Sequence, residues 1–467
     1  MIYKPFKQHV MSKKLLTLMI GLAISLTGSV WAQDTEEEEV TYNQYGVRVD
    51  REAVHAEQRN NILVLESKSK KYKVWFDNRV QVDGATFIGK NHSDYNPIGN
   101  GVSIRRARFA VKAQVTPDWY GEIDMDMADG VFELKDAIIE YDGLKNFAFK
   151  AGNFKEDFSM EQTTTSRYLA FMERPMLCKA LVPSRHIGIQ GEYLLDHFRA
   201  SLGMFFQTVA GSEEVTNVQD NNKDFGRDQG YSFTGKMGYM PYSQDRYWGL
   251  YLGGKASYRT PKTDMATNEY GGVRYSTRNA TSINRKKYLD TDVIPDVDHE
   301  WLYGLEGAAY YGPARIQSEW VGSHVSAAKD SYNFGGWYVS ATYLLLGGQQ
   351  RFNVAEGEFT QPSSGRKWGD IELALRYDYL DLNNGDIYGG SGENYTAGVN
   401  FYLGNSVKIA LNYQYSNNDR YANGKGKLFI GHDATGAPTT DYTKAVEGKG
   451  KGGVSYHMLG LRFEIDF

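Results

Sequence analysis

The chain has 467 residues, 57 acidic and 52 basic, for a formal net charge of −5, and its mean hydropathy of −0.52 excludes a bundle of transmembrane helices. Aromatic residues reach 14%, with 34 tyrosines, and 50 glycines stand against 11 prolines. The single cysteine, Cys178, excludes a disulfide framework and a multi-cysteine metal site, and the mild acidity gives no case for nucleic acid as a partner.

From Met11 the chain reads Met-Ser-Lys-Lys, then an apolar run from Leu15 to Leu26, then Gly28-Ser-Val30-Trp-Ala32. A basic start, an apolar stretch and small residues before a cleavage point make a secretory signal, and the run is too short to span a bilayer as an anchor. Residues 1–32 are therefore expected to be removed, with Met11 a second candidate start. Loss of Lys4, Lys7, Lys13 and Lys14 takes the net charge from −5 to −9. Residues 33–71 open with the acidic run Asp34 and Glu36 to Glu39 and read as an N-terminal periplasmic extension without chemistry of its own.

From residue 72 the pattern has period two. In Tyr72 to Asp83 one face holds Val74, Phe76, Val80 and Val82, and the other holds Lys73, Asp77, Arg79, Gln81 and Asp83. The same alternation recurs in 371–379, 407–415 and 458–467. Successive strand side chains face opposite ways, so each segment has one apolar and one polar wall. Segments of about ten residues with two such walls suit a transmembrane β-barrel, apolar toward lipid and polar toward a lumen. Strands of a soluble sandwich are usually shorter. Tyrosine and tryptophan belong at the two membrane interfaces, which explains the aromatic content, and proline is scarce because it cannot donate to a ladder.

The predicted strands are 72–89, 102–117, 119–129, 131–142, 146–157, 186–195, 197–209, 231–242, 247–261, 300–312, 314–327, 334–346, 367–382, 395–404, 406–418 and 454–467. Sixteen is even, so both termini lie on one side. Short turns such as Thr116-Pro-Asp118 and Gly312-Pro313 alternate with long loops at 210–230, 262–299 and 419–453, which puts the short turns in the periplasm. Residues 347–366 break this rule, being long on the periplasmic side. The strand-like Gly272–Arg278 stays in a loop, because a seventeenth strand would break the parity. The fold class expected is all-β, a transmembrane antiparallel β-barrel over 72–467 with an inward-folded constriction loop.

On the second strand Arg106, Arg108, Lys112 and Gln114 share the inward face, while Arg105 falls outward, near the membrane rim. The third strand turns Glu122, Asp124 and Asp126 inward, an acidic row beside the basic one. Lys73, Arg79, Arg199, Lys255, Arg259 and Lys408 are further inward cations. Two readings stand side by side: the rows neutralise one another, or the cations form a track that draws anions. Guanidinium groups match phosphate oxygens bidentately, and rings of Arg or Lys line anion pores. The segment between the fifth and sixth strands is long and mixes Glu161, Glu173, Arg167, Arg174, Lys179 and Arg185, so the stretch near 158–185 is the expected constriction.

Several runs are specific. Gly152-Asn-Phe-Lys-Glu-x-Phe-Ser-x-Glu-Gln162, Phe171-Met-Glu-Arg174, Arg185-x-Ile-Gly-Ile189 and the stretch from Trp301 to Tyr311-Gly-Pro313 resemble the phosphate-selective porin O and P family over 72–467. The terminal alternation Leu459, Leu461, Phe463, Ile465, Phe467 resembles the C-terminal recognition strand of bacterial outer-membrane proteins. The family resemblance implies a homotrimeric channel in the outer membrane of a Gram-negative bacterium, with an arginine ladder and a lysine-containing central anion site. Lys155, Arg174, Lys179 and Arg185 lie inside the matching loop motif; Arg106, Arg108 and Lys112 rest on face alternation.

Gly448-Lys-Gly-Lys-Gly-Gly453 matches G-x-G-x-x-G, but no helix follows it, and the nine histidines show no metal-ligand spacing. Cys178 reads as a plain small side chain in the constriction. No catalytic residue, metal or cofactor is expected. The function expected is passive diffusion of small anions, phosphate or polyphosphate first. A porin of other selectivity stays open, on the charge of −9 and the acidic row. A barrel enzyme needs Ser or Thr beside His on one rim, a pair that no spacing supports, and an adhesion barrel is the remaining alternative.

Overall fold

Sixteen antiparallel strands close on themselves in the computed structural model. It describes residues 41–49, 52–89, 98–206, 208–209, 230–244, 247–261, 271–278, 281–283, 287–418, 431–439, 441, 443–446 and 454–467. The signal segment 1–32, the acidic run Asp34 to Glu39 and the glycine-rich 448–453 lie outside the described residues.

The first eight strands are β1 (Lys73–Ile88), β2 (Gly101–Thr116), β3 (Trp119–Asp126), β4 (Glu133–Leu144), β5 (Phe147–Lys155), β6 (Arg185–Leu194), β7 (Phe198–Phe205) and β8 (Ser232–Gln244). The second eight are β9 (Trp248–Arg259), β10 (Val297–Tyr311), β11 (Ala314–Ala327), β12 (Ser331–Leu344), β13 (Gly369–Asn384), β14 (Ile387–Leu403), β15 (Val407–Asn418) and β16 (Val454–Asp466). Each pairs with the next, and β16 returns to β1 with His457 opposite Ile88 and Asp466 opposite Arg79. Closure leaves no strand edge, as a bilayer requires.

The burial pattern inverts that of a soluble protein. On β13 Leu373 and Leu375 are exposed, whereas Glu372, Arg376 and Asp378 are buried. Lipid takes the place of water outside, so apolar side chains face it and charges turn in. Tyrosine and tryptophan form the expected belt on the outer wall. Trp337, Tyr377, Tyr395, Tyr415 and His457 follow one another with ring centroids 5.0, 5.0, 6.3 and 5.0 Å apart.

Two expectations change and one holds. Strand β14 begins at Ile387 rather than 395, so its connection to β13 is a two-residue turn. Gly389, Gly390 and Gly392 carry no side chains whose alternation could be read. Ser276–Thr277 pairs with Leu289–Asp290 as a small hairpin inside an outer loop, so parity holds. Within 33–71 the hairpin Val54–Arg59/Ile62–Ser67 adds to the base of β1, with Leu65 opposite Val74. Preceding it in sequence, Thr41–Tyr42 pairs with Arg48–Val49.

The anomalous connection 347–366 folds into the periplasmic mouth. Asn353 pairs with Glu358 and Phe352 with Phe359 in a short hairpin. Phe352 packs on the inward Tyr251 at 5.1 Å, and Phe359 lies beneath the Arg315 guanidinium at 4.7 Å. Arg199 Nε donates to Ala355 O at 2.9 Å. An aromatic pair plus a cation–π contact accounts for its inward course.

Candidate functional site

The constriction loop leaves β5 after Lys155 and rejoins the barrel at Arg185, with two short helices, α1 (Met160–Thr163) and α2 (Met176–Ala180). Its first residues are pinned by buried charge. Glu156 accepts from Arg259 Nη1 at 2.9 Å, and Asp157 pairs with Arg199 at 2.8 Å. Ser159 caps α1, whose free backbone N–H groups meet the opposite wall. Met160 N donates to Glu306 at 3.0 Å and Glu161 N to Glu319 at 2.7 Å. Lys236 and Lys255 compensate Glu306, at 2.8 and 3.1 Å, and Lys255 also pairs with Glu319. Further along, Asn400, Asn412, Asp378 and Lys408 bond the loop backbone, and Leu177, Cys178 and Leu181 sink into a core with Val321, Phe334 and Leu380. The loop therefore lies against β8–β16 and leaves the open lumen on the β1–β7 side. Burial pushes the Cys178 thiol well above its usual range, so it packs as a small hydrophobe.

The open part is a cavity of about 940 Å³. Among the described residues twelve Arg and Lys and ten Asp and Glu line it, so the wall is slightly basic inside an acidic chain. Arg106, Arg108, Lys112, Lys155, Arg174 and Arg185 line this cavity together with Glu122, Asp124 and Asp126. Lys179 does not; it pairs with Glu173 at 2.9 Å. Lys255, Arg259 and Lys408 face inward as expected but are buried behind the loop, whereas Arg79 and Arg199 reach the cavity.

Arg105 is a correction. Gln81 faces Arg106 while Val82 faces Ile104, so Arg105 is the extra residue of a β-bulge. The bulge turns two consecutive arginines inward, and Arg105 Nε donates to Glu173 at 2.5 Å, tying β2 to the loop. Burial would raise the Glu173 carboxyl, but the Arg105 and Lys179 charges hold it well below the usual carboxylate range. The Arg-Arg pair in an otherwise alternating strand was the readable sign of the bulge.

The cavity cations fall into two groups. Arg108 pairs with Asp124 at 3.0 Å and Asp126 at 3.3 Å, Lys112 with Asp77 at 3.0 Å and Glu122 at 3.3 Å, and Arg185 with Asp136 at 2.6 Å. The acidic cluster Glu122, Asp124 and Asp136 is thereby compensated. Among the described residues Arg106, Lys155 and Arg174 have no carboxylate partner. Arg106 Nη1 donates to Gln81 Oε1 at 2.6 Å, and its Nε meets no acceptor. Lys155 donates to Thr163 O at 2.9 Å and shares Thr164 O with Arg174, whose Nε also bonds Glu161 O at 2.7 Å. Carbonyl dipoles position these cations and leave their charge uncancelled.

The sequence matches the family model "Phosphate-selective porin O and P" over residues 76–435. An uncharacterised protein of Caulobacter vibrioides is 26% identical over 72% of this chain, and the match spans 66% of that protein, just under two thirds. Porin O of Pseudomonas aeruginosa is 21% identical over 78% of this chain and 87% of its own length. Among solved structures, the trimer form of OmpT, an outer membrane protein of Vibrio cholerae, superposes with a TM-score of 0.50 at 12% identity. It covers 85% of this chain and all of its own, a likeness of fold alone.

Proposed function

The chain belongs to the phosphate-selective porin O and P family, and from that premise we propose that it passes small anions by diffusion, phosphate first, as a channel and not an enzyme. Its barrel sits in the outer membrane of a Gram-negative bacterium. The observation that carries the proposal is the set Arg106, Lys155 and Arg174, cations without carboxylate partners among the described residues, around a cavity of about 940 Å³. Each replaces part of an anion's hydration. The paired cations, Arg108, Lys112 and Arg185, hold their acids and can lend hydrogen bonds to a passing phosphate. Several weak stations let an ion enter and still leave.

The proposed assembly is a homotrimer. The outward face of β2–β4 carries the exposed aliphatic side chains Val102, Ile104, Ile123 and Ile139, with one aromatic pair, Trp119 and Tyr141, where β12–β16 carry a run of tyrosine and tryptophan. An arc dominated by aliphatic side chains suits contact with another copy. We also place 1–32 as a removed export signal and 33–71 as a periplasmic extension.

Planar-bilayer recording of the purified protein, with chloride current titrated by phosphate, tests the reading. Millimolar phosphate is expected to depress the chloride current. Unchanged current together with cation-preferring reversal potentials would overturn it. A porin of other selectivity is the second reading, and the ten acidic residues of the same cavity favour it.

A further inference from the structure

The periplasmic hairpin sets one carboxyl against the cavity and buries a second close by. Glu356 is exposed and lines the cavity, while Glu358 is 7% exposed and has no hydrogen-bond or ion-pair partner among the described residues. A buried carboxyl without a partner is costly in its charged form. The groups whose charges act on Glu358 are Glu356 on its own hairpin, Lys155 on β5, Lys236 on β8 and Arg174 on the constriction loop. Around the same hairpin stand Arg199, held by Ala355 O, and Arg315 over Phe359, while α1, which carries Glu161, packs against it. Lys155 and Arg174 are the cations that share Thr164 O and lack a carboxylate of their own. Burial, and then the Glu356 charge, push Glu358 up to about 8 against the pull of Lys155, Lys236 and Arg174.

We infer that Glu358 is a specificity-determining residue of the pore, its protonation state setting how strongly Lys155 and Arg174 attract a passing anion. The inference rests on the anion-channel reading above. A neutral Glu358 leaves the two cations their full field; an ionised one opposes it. Because the folded value is raised, the neutral form prevails at and below neutral pH, and negative charge appears only as pH rises through about 8. Anion preference is then strongest on the acidic side and falls on the alkaline side. The aromatic anchorage of the hairpin keeps Glu358 in place in both states.

Reversal potentials of the full-length channel in potassium chloride gradients, from pH 6 to 9.5, test this, since chloride keeps one charge throughout. The wild type is expected to lose anion preference several-fold above pH 8. Glu358→Gln is expected to hold its acidic-side value to pH 9.5. Glu356→Gln, which removes the adjacent charge, is expected to move the fall to lower pH. A wild type that is anion-selective without a pH-dependent fall, or a Glu358→Gln channel that falls as the wild type does, would overturn the inference and leave the anion channel standing. A cation-selective wild type at every pH would instead sink the anion reading itself. If Glu358→Gln fails to assemble, an unmoved midpoint in Glu356→Gln overturns the inference on its own.

Discussion

Two halves of the inner wall carry the same kinds of side chain and differ in what covers them. On β1–β7 the Arg, Lys, Asp and Glu rows face an open cavity. On β8–β13 Lys236, Lys255, Glu306 and Glu372 lie dry beneath the constriction loop. Water on one side screens charge and lets the half-buried Lys155 and Arg174 stay without carboxylate partners. On the other side each charge needs a partner, because an uncompensated buried ion costs several kcal/mol. The same rows therefore attract ions on one wall and anchor a loop on the other, and face alternation alone does not tell the two apart.

The dry wall should give the largest effects. Glu306 compensates two buried lysines and receives the Met160 N–H. Glu306→Ala is expected to cost about 3–5 kcal/mol and to loosen the loop. Heat-modifiable gel migration should show the destabilisation, and bilayer recording a larger, less selective conductance. Unchanged selectivity would mean that the loop does not depend on this network.

Acid offers a second way to separate the halves. Glu173 ties the loop to Arg105 and Lys179, and its folded carboxyl lies well below the unfolded value. A depressed carboxyl contributes stability that is fully present above the unfolded value, about 4.3, and is lost as pH falls through the folded one. The loop should thus keep its seat on acidification to pH 4 and release only in stronger acid. Conductance recorded between pH 6 and 3 checks this; a step near pH 5 would contradict the ion-pair assignment.

On the wet wall, Arg106→Ala, Lys155→Ala or Arg174→Ala should each raise the phosphate concentration that half-blocks chloride current about tenfold, equivalent to about 1.4 kcal/mol. Arg108→Ala should behave differently, because it leaves Asp124 and Asp126 exposed to the lumen and turns selectivity toward cations. The double variant Arg108→Ala/Asp126→Asn should recover much of the anion preference. Equal effects of Arg106→Ala and Arg108→Ala would erase the distinction between free and paired cations.

Much of this layout is legible in the sequence. Period-two hydropathy locates all sixteen strands, and the loop motif from Gly152 to Arg185 places the constriction. What escapes is local geometry or long-range proximity. The bulge at Arg105 breaks alternation by one residue, and the glycines of β14 have no faces to read. Whether an inward cation is wet or dry depends on where a loop distant in sequence settles, as for Lys255 beneath the loop that Glu156 begins. The hairpin carrying Glu358 gave one sign only, a periplasmic connection too long for its side.

The smallest effect tests how independent the two walls are. Tyr338 is fully buried behind the loop, donates to Glu319 at 2.9 Å and accepts from Gln317 at 2.9 Å. Tyr338→Phe removes both bonds with little change in shape, at a cost of about 1 kcal/mol. Glu319 keeps Lys255 and the Glu161 N–H, so the loop should hold its place. The expected result is a slightly lower unfolding temperature with unchanged conductance and phosphate block. A shift in phosphate block would show that strain in the dry wall reaches Lys155 and Arg174 through α1, because Glu161 supplies both the N–H bound by Glu319 and a carbonyl that orients Arg174.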